Sequence, residues 1–246
     1  MAEFTIEIAG CRAAVTSLFA STRDYCGKYL TEGEPHFRIA VTRQDLTFEQ
    51  EALRQEALEE GIRIRMFTAP FLERTAIQRK LAEFLFDRDV LMTHGSTVAV
   101  EGKAYLFTAK CGTGKSTHTR LWRQVFGQRA VMVNDDKPFL KLTAGGVLAC
   151  GSPWSGKHGL DSNITVPLQG ICILERGQEN HIQRITAEEA LPMLLHQSYC
   201  PLEPSKRGRF EELVQQLAEK TPLWHMHCNM SPEAPLVSHR AMGKSC

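Results

Sequence analysis

Residues 109–117 read Ala-Lys-Cys-Gly-Thr-Gly-Lys-Ser-Thr, and this stretch constrains the chain more tightly than any other. Such a loop belongs between a strand and a helix. Its glycines let successive backbone N–H groups wrap an anion, and the helix that follows aims its N-terminal amides at the same place. The flanks agree: Ala104-Tyr105-Leu106-Phe107-Thr108 is an apolar strand, and Ser116 to Phe126 has the composition of a helix. Lys110, Cys111, Gly112, Thr113, Gly114, Lys115, Ser116 and Thr117 are therefore expected to hold a nucleotide polyphosphate. In that arrangement Lys115 reaches the outer phosphates and the Ser116 hydroxyl ligates the accompanying Mg²⁺. Ala109 stands in the first glycine position of such loops, which is tolerable if its φ is negative.

A phosphate loop by itself means nucleotide binding, so the chemistry depends on nearby carboxylates. The β-rich run Ala130-Val131-Met132-Val133 ends in Asn134-Asp135-Asp136. Nineteen positions separate Ser116 from Asp135, enough for one helix and a turn. The aspartates are thus expected on the strand that immediately follows the loop helix, at the carboxyl edge of the sheet beside the loop. One of them can hold Mg²⁺ and the other can accept the proton of an attacking hydroxyl. Consecutive strand positions face opposite sides. Asp135 is accordingly assigned to the metal with Ser116, and Asp136 to the proton.

The second candidate loop is Gly151-Ser152-Pro153-Trp154-Ser155-Gly156-Lys157-His158. Proline and glycine fix its turn, Trp154 offers a wall and Lys157 a cation. It reads equally as a substrate loop, with Trp154, Ser155 and Lys157 beside the acceptor, or as a surface turn. His94, before Gly95, and His118, one turn into the loop helix, are expected near the phosphates. Trp122 and Phe126, four apart on that helix, read as core. His225 and His227 share one face of a strand, but the sequence offers no third ligand, so a metal is not expected there.

Composition bears on partners and compartment. A net charge of +1 gives no global electrostatic reason to bind nucleic acid or a membrane. The eight cysteines occur singly, without a C-x-x-C pair, which argues against zinc and against a disulfide framework. The N-terminus alternates polar and apolar residues and carries Glu3 and Glu7, unlike a signal peptide, and no apolar run approaches membrane-spanning length. A cytoplasmic protein is expected.

Along the chain, Phe4–Ile8 and Phe37–Val41 alternate as strands, while Thr47–Glu60 and Leu72–Phe86 repeat apolar residues at helical spacing. These predict a small α+β extension over residues 1–90, without recognisable chemistry, ahead of an α/β domain over 91–246. Glu101-Gly102 between two β-rich runs predicts a hairpin leading into the phosphate loop. Gly145-Gly146 predicts a turn, and Gly170–Leu174 a buried strand. Thr186–Glu189 is a capping box opening a helix toward Ser198, with Pro192 awkward for its first turn. A helix over Arg209–Lys220 and a strand over Leu223–Asn229 follow, and then a short polar tail.

His94-Gly95, the hairpin, the loop through Ser116-Thr117 and Val133-Asn134-Asp135-Asp136-Lys137 together resemble the C-terminal domain of HPr kinase/phosphorylase. They resemble, more distantly, the nucleotide-binding half of phosphoenolpyruvate carboxykinase. The resemblance spans roughly residues 91–230. It implies a carboxykinase-like P-loop fold, ATP with Mg²⁺, and phosphate transfer to the hydroxyl of a protein or peptide serine or of a small-molecule alcohol, with the reverse direction also open. A nucleotide-binding regulator with little phosphotransfer is the alternative reading. A homo-oligomer is compatible with either.

Overall fold

In the computed structural model, which describes residues 1–59, 61 and 63–243, the chain divides into two units, residues 1–85 and 86–246. The first is built on a tight hairpin. Ala9 and Gly10, with φ of 54° and 78°, join β1 (Ala2–Ile8) to β2 (Cys11–Ser17), and β3 (Phe37–Ala40) pairs in parallel with β2. Two consecutive positive φ values give the turn whose twist suits antiparallel strands. Helices α1 (Ala20–Tyr25), α2 (Arg43–Glu59) and α3 (Ala69–Phe86) complete the unit. Apolar spacing locates α2 and α3. Glu60, where the first predicted helix ends, lies outside the described residues. Glu73 on α3 is fully buried and accepts hydrogen bonds from the backbone N–H groups of Leu18 and Phe19 and from the Thr22 hydroxyl, so a carboxylate on one helix caps the start of another.

The second unit is a mixed α/β structure around a nine-stranded sheet. Its strands are β4 (Val90–Met92), β5 (Ser96–Val100), β6 (Lys103–Thr108), β7 (Ala130–Asn134), β8 (Phe139–Thr143), β9 (Gly146–Cys150), β10 (Thr165–Arg176), β11 (His181–Arg184) and β12 (Leu223–Cys228). They run β4-β8-β9-β10-β6-β5-β7, with β12 on β10 and β11 on β12. The predicted hairpin joins β5 to β6 through Glu101 (φ 54°) and Gly102 (φ 76°).

Side-chain alternation shows why the central strands read as continuously apolar. Ala104, Leu106, Ile171 and Ile173 enter one core with Ala190 and Leu194 of α5 (Ala187–Gln197) and Phe210, Leu213 and Leu217 of α6 (Arg207–Lys220). Tyr105, Phe107, Cys172 and Leu174 enter the other, with Trp122 and Phe126 of α4 (Lys115–Phe126) and Ala234 and Met242 of α7 (Glu233–Met242). Both faces are covered, as parallel strands require. β6, β10 and β12 are mutually parallel, and β7 runs the same way because both it and β6 are antiparallel to β5. The carboxyl ends of these four strands therefore share one edge.

Two expectations need correction. The residues after β12 form α7 rather than a polar tail, because Ala234 and Met242 supply it with a face that packs beside α4. Pro192 lies inside α5 beyond its first turn, and the capping box at Thr186 and Glu189 forms regardless. Among the described residues no helix is long and apolar enough to cross a membrane.

Trp122 is fully buried against α7, where its Nε1 donates to Ser238 Oγ (3.1 Å) and His118 Nε2 (3.2 Å). Burial pushes the His118 imidazole down to about 4. The unfolded chain binds that proton below about pH 6.5, so the stability this site contributes is complete above that pH and is lost as pH falls toward 4. Urea unfolding between about pH 6.5 and 5 should show wild-type stability falling more steeply than that of His118→Gln, by roughly 1 kcal/mol per pH unit. Parallel slopes for the two proteins would contradict it.

Candidate functional site

The loop after β6 begins at Ala109, which is fully buried and has no positive φ, as its substitution for glycine requires. Gly112 (φ 75°) and Gly114 (φ 121°) make the turn. A Cβ on Gly112 would meet nothing within 4 Å, so glycine is needed there for conformation and not for space. Gly114 caps α4, whose first turn closes with His118 N–H donating to Gly114 O at 2.9 Å. The preceding amides of a helix start have no intrahelical partner. The Lys115 side chain is buried and arches back, its Nζ donating to Ala109 O at 3.1 Å. Burial lowers its pKa, against the raising influence of Cys111, Asp136 and Asp135.

Arg176, at the end of β10, holds the loop from outside. Its guanidinium donates to Gly112 O (2.6 Å) and Thr113 O (3.4 Å). The C=O and N–H of a trans peptide point oppositely, so fixing these carbonyls turns the N–H groups of the same peptides away from Arg176. Sequence reasoning missed this residue, which lies far from the loop along the chain.

Asn134 organises the carboxylates. Fully buried at the end of β7, it accepts from the backbone N–H groups of Asp136 (2.8 Å) and Lys137 (2.6 Å), an Asx-type turn. Its Nδ2 donates to Ser152 O (2.8 Å), Ser152 Oγ (3.0 Å) and Trp154 O (3.3 Å). Asp135 and Asp136 thus lie just past the strand and not on it, and this turn, rather than strand pleat, sets their different surroundings. Asp135 is 7% exposed and accepts from Ser96 Oγ at 2.6 Å, and Ser96 Oγ is in turn 2.7 Å from Thr119 Oγ1 on α4. Asp136 Oδ1 is 3.3 Å from His94 Nε2. Burial, with Lys137, Lys115 and His196 adding to it, pushes His94 down to about 3. The imidazole is therefore neutral, and the contact is a close polar approach rather than an ion pair. Burial also raises the Asp136 carboxyl above its ordinary value, with Asp135 adding to it, despite Lys137 and Lys115.

These groups meet around an open cavity of ≈ 560 Å³, a size ordinary for small-molecule sites. Cys111, Gly112, Gly114, Lys115, Ser116 and Thr117 line one side, Asp135, Asp136 and His94 another, and Lys157 and His158 approach from the second loop. Arg120 completes the lining. Its signal was a cation four positions after Ser116, on the same face of the helix. Lys110 and Thr113 are not among the lining residues. Nor are Trp154 and Ser155: both are buried, and Ser155 Oγ donates to Asp161 Oδ2 at 2.8 Å, so these two anchor the second loop instead of facing a substrate. His118 is likewise turned into the core between α4 and α7 and not toward the loop.

Glycine matters twice more. A Cβ on Gly151 would come within 1.9 Å of Ser162 O, and one on Gly156 (φ 68°) within 3.2 Å of Asp136 Cβ. The second loop is thereby seated directly against the carboxylate. Away from the cavity, a third ligand-type side chain that the sequence did not reveal stands beside His225 and His227: Glu175 of the neighbouring strand.

No family model matches this chain, and neither does any curated protein. Forty-eight chains of solved structures match. One is the HPr(Ser) kinase/phosphatase from Coxiella burnetii, 12% identical, with the likeness covering 51% of this chain and 94% of that one at a TM-score of 0.31. This is a distant structural relationship and nothing finer.

The Asn134 clamp is testable by itself. Asn134→Ala removes the partner of several buried groups, each worth about 1–3 kcal/mol when left unpaired. Chemical denaturation should show a loss of at least that size. A loss below about 0.5 kcal/mol, the range of ordinary surface changes, would mean that the loops hold without it.

Proposed function

We propose that this chain is an ATP- and Mg²⁺-dependent kinase that transfers the γ-phosphoryl group to a hydroxyl, built on a carboxykinase-like P-loop domain and working in the cytoplasm. The observation that carries this reading is the meeting, around one cavity, of a helix N-terminus in a glycine loop, a buried lysine and two carboxylates in different surroundings. The residues fit the nucleotide and its metal. The loop presents amides and the Lys115 ammonium to phosphate. The Ser116 hydroxyl and the Asp135 carboxylate are hard oxygen donors of the kind Mg²⁺ takes. Bound there, Mg²⁺ would neutralise charge on the β- and γ-phosphates.

The chain's own residues do the rest. Lys115 binds the outer phosphates, and the amides at the start of α4 hold the anion. Arg120 and Lys157 bring further positive charge to the cavity, where charge spreads over the transferring group. The acceptor oxygen forms a bond to phosphorus as the bond to the ADP oxygen breaks, and the hydroxyl proton passes to Asp136. Burial suits Asp136 to that task, because a carboxyl with a raised pKa is a stronger base. Neutral His94 orients it through the 3.3 Å contact. The Ser96 hydroxyl donates to Asp135 and fixes the orientation of its carboxylate.

Two measurements test the reading. Lys115→Ala should bind Mg·ATP too weakly to detect by calorimetry while remaining folded, and wild-type affinity in this variant would remove the phosphate-loop assignment. Asp136→Asn should bind Mg·ATP nearly as wild type but transfer phosphate about 10²–10⁴-fold more slowly in single turnover. Transfer within a few-fold of wild type would take the base role from Asp136. If wild-type protein incubated with labelled ATP and a cell extract labels no acceptor, the regulatory reading replaces the kinase.

A further inference from the structure

On the opposite face of β10 from the phosphate-loop clamp, three ligand-type side chains stand together. β10 and β12 pair in parallel, with Ile173 opposite His225 and Glu175 opposite His227. Glu175, His225 and His227 therefore project from the same face of the sheet, the two histidines two residues apart on one strand and Glu175 on its neighbour. Their ligand atoms all lie within 4.8 Å of one another. Glu175 Oε2 and His225 Nε2 are 3.2 Å apart, and the two imidazole rings are 4.8 Å apart at their centroids and nearly perpendicular. β11 closes the other side of β12, placing His181 opposite His227.

We propose that Glu175, His225 and His227 form a binding site for a divalent transition metal ion of the zinc class, separate from the Mg²⁺ site at the phosphate loop. Two imidazoles and one carboxylate suit zinc and its neighbours, whereas an all-oxygen set would suit Mg²⁺. Tetrahedral coordination at about 2.0–2.1 Å places donor atoms about 3.3 Å apart. The Glu175–His225 pair already has that spacing, and rotation of the half-exposed His227 ring would close the two remaining edges. Three protein ligands leave a fourth position for water or an exogenous ligand.

The placement gives the metal a structural consequence. It would tie the carboxyl ends of β10 and β12 together one residue from Arg176, which holds the Gly112 and Thr113 carbonyls of the phosphate loop. Metal at this site would thereby stiffen the strand end from which the loop is held.

Cobalt titration in excess Mg²⁺ tests the proposal, since Co²⁺ reports its ligands by its visible spectrum. The expected result is one equivalent bound, displaced by Zn²⁺, with a spectrum lacking the charge-transfer band of thiolate ligation. That last feature excludes the exposed Cys111 and the half-buried Cys228 as ligands. His227→Ala and Glu175→Gln should each weaken binding about tenfold or more. Glu175 is well exposed, so its glutamine variant tests the site without threatening the fold. Wild-type affinity in both variants, a thiolate spectrum, or no saturable binding would overturn the assignment.

Discussion

Everything in the larger unit depends on the covering of both faces of β6 and β10. Their side chains alternate between two cores, and the central stretches Ala104–Thr108 and Gly170–Leu174 are buried on both faces. That burial fixes β6, β10 and β12 in parallel register, and only where the strands end is the backbone free of sheet pairing. The phosphate loop, the Asn134 turn and Arg176 all arise at such ends. The hairpin contributes from the opposite direction, because β5 runs antiparallel and brings His94, Gly95 and Ser96 to the same edge at its start.

Charge at that edge is arranged, not merely accumulated. Lys115 loses hydration on burial, which weakens its hold on a proton, while the nearby aspartates restore part of it. His94 is kept neutral by the same burial and by the surrounding cations. Asp135 accepts from the Ser96 hydroxyl, and Asp136 lies 3.3 Å from His94 Nε2. Two adjacent acids thus stand in different surroundings. Asn134 enables this separation by turning the backbone between them, and its amide group fastens the second loop behind them.

Much of this was legible from local pattern. The strand, the glycine loop and the helix around Lys115 follow from composition alone, as do the Glu101-Gly102 hairpin and the capping box at Thr186, because each is decided by residues within a few positions of one another. Other features were hidden for definite reasons. The apolar face of α7 is divided among Ala234, Pro235, Ser238 and Met242, too mixed to stand out from a polar tail, and it is stabilised by Trp122, which is distant in sequence. Trp154 looked like a binding-site aromatic because exposure cannot be read from a loop's composition.

The sequence by itself determined that a glycine-rich loop follows an apolar strand, and that two aspartates come one helix later. Only the tertiary structure decided which residues surround them. Arg176 reaches the loop across more than sixty positions, Ser96 reaches Asp135 across thirty-nine, and Glu175 joins His225 and His227 from the next strand. Such contacts depend on sheet order and register, which burial of the whole core selects and which no short stretch of sequence encodes.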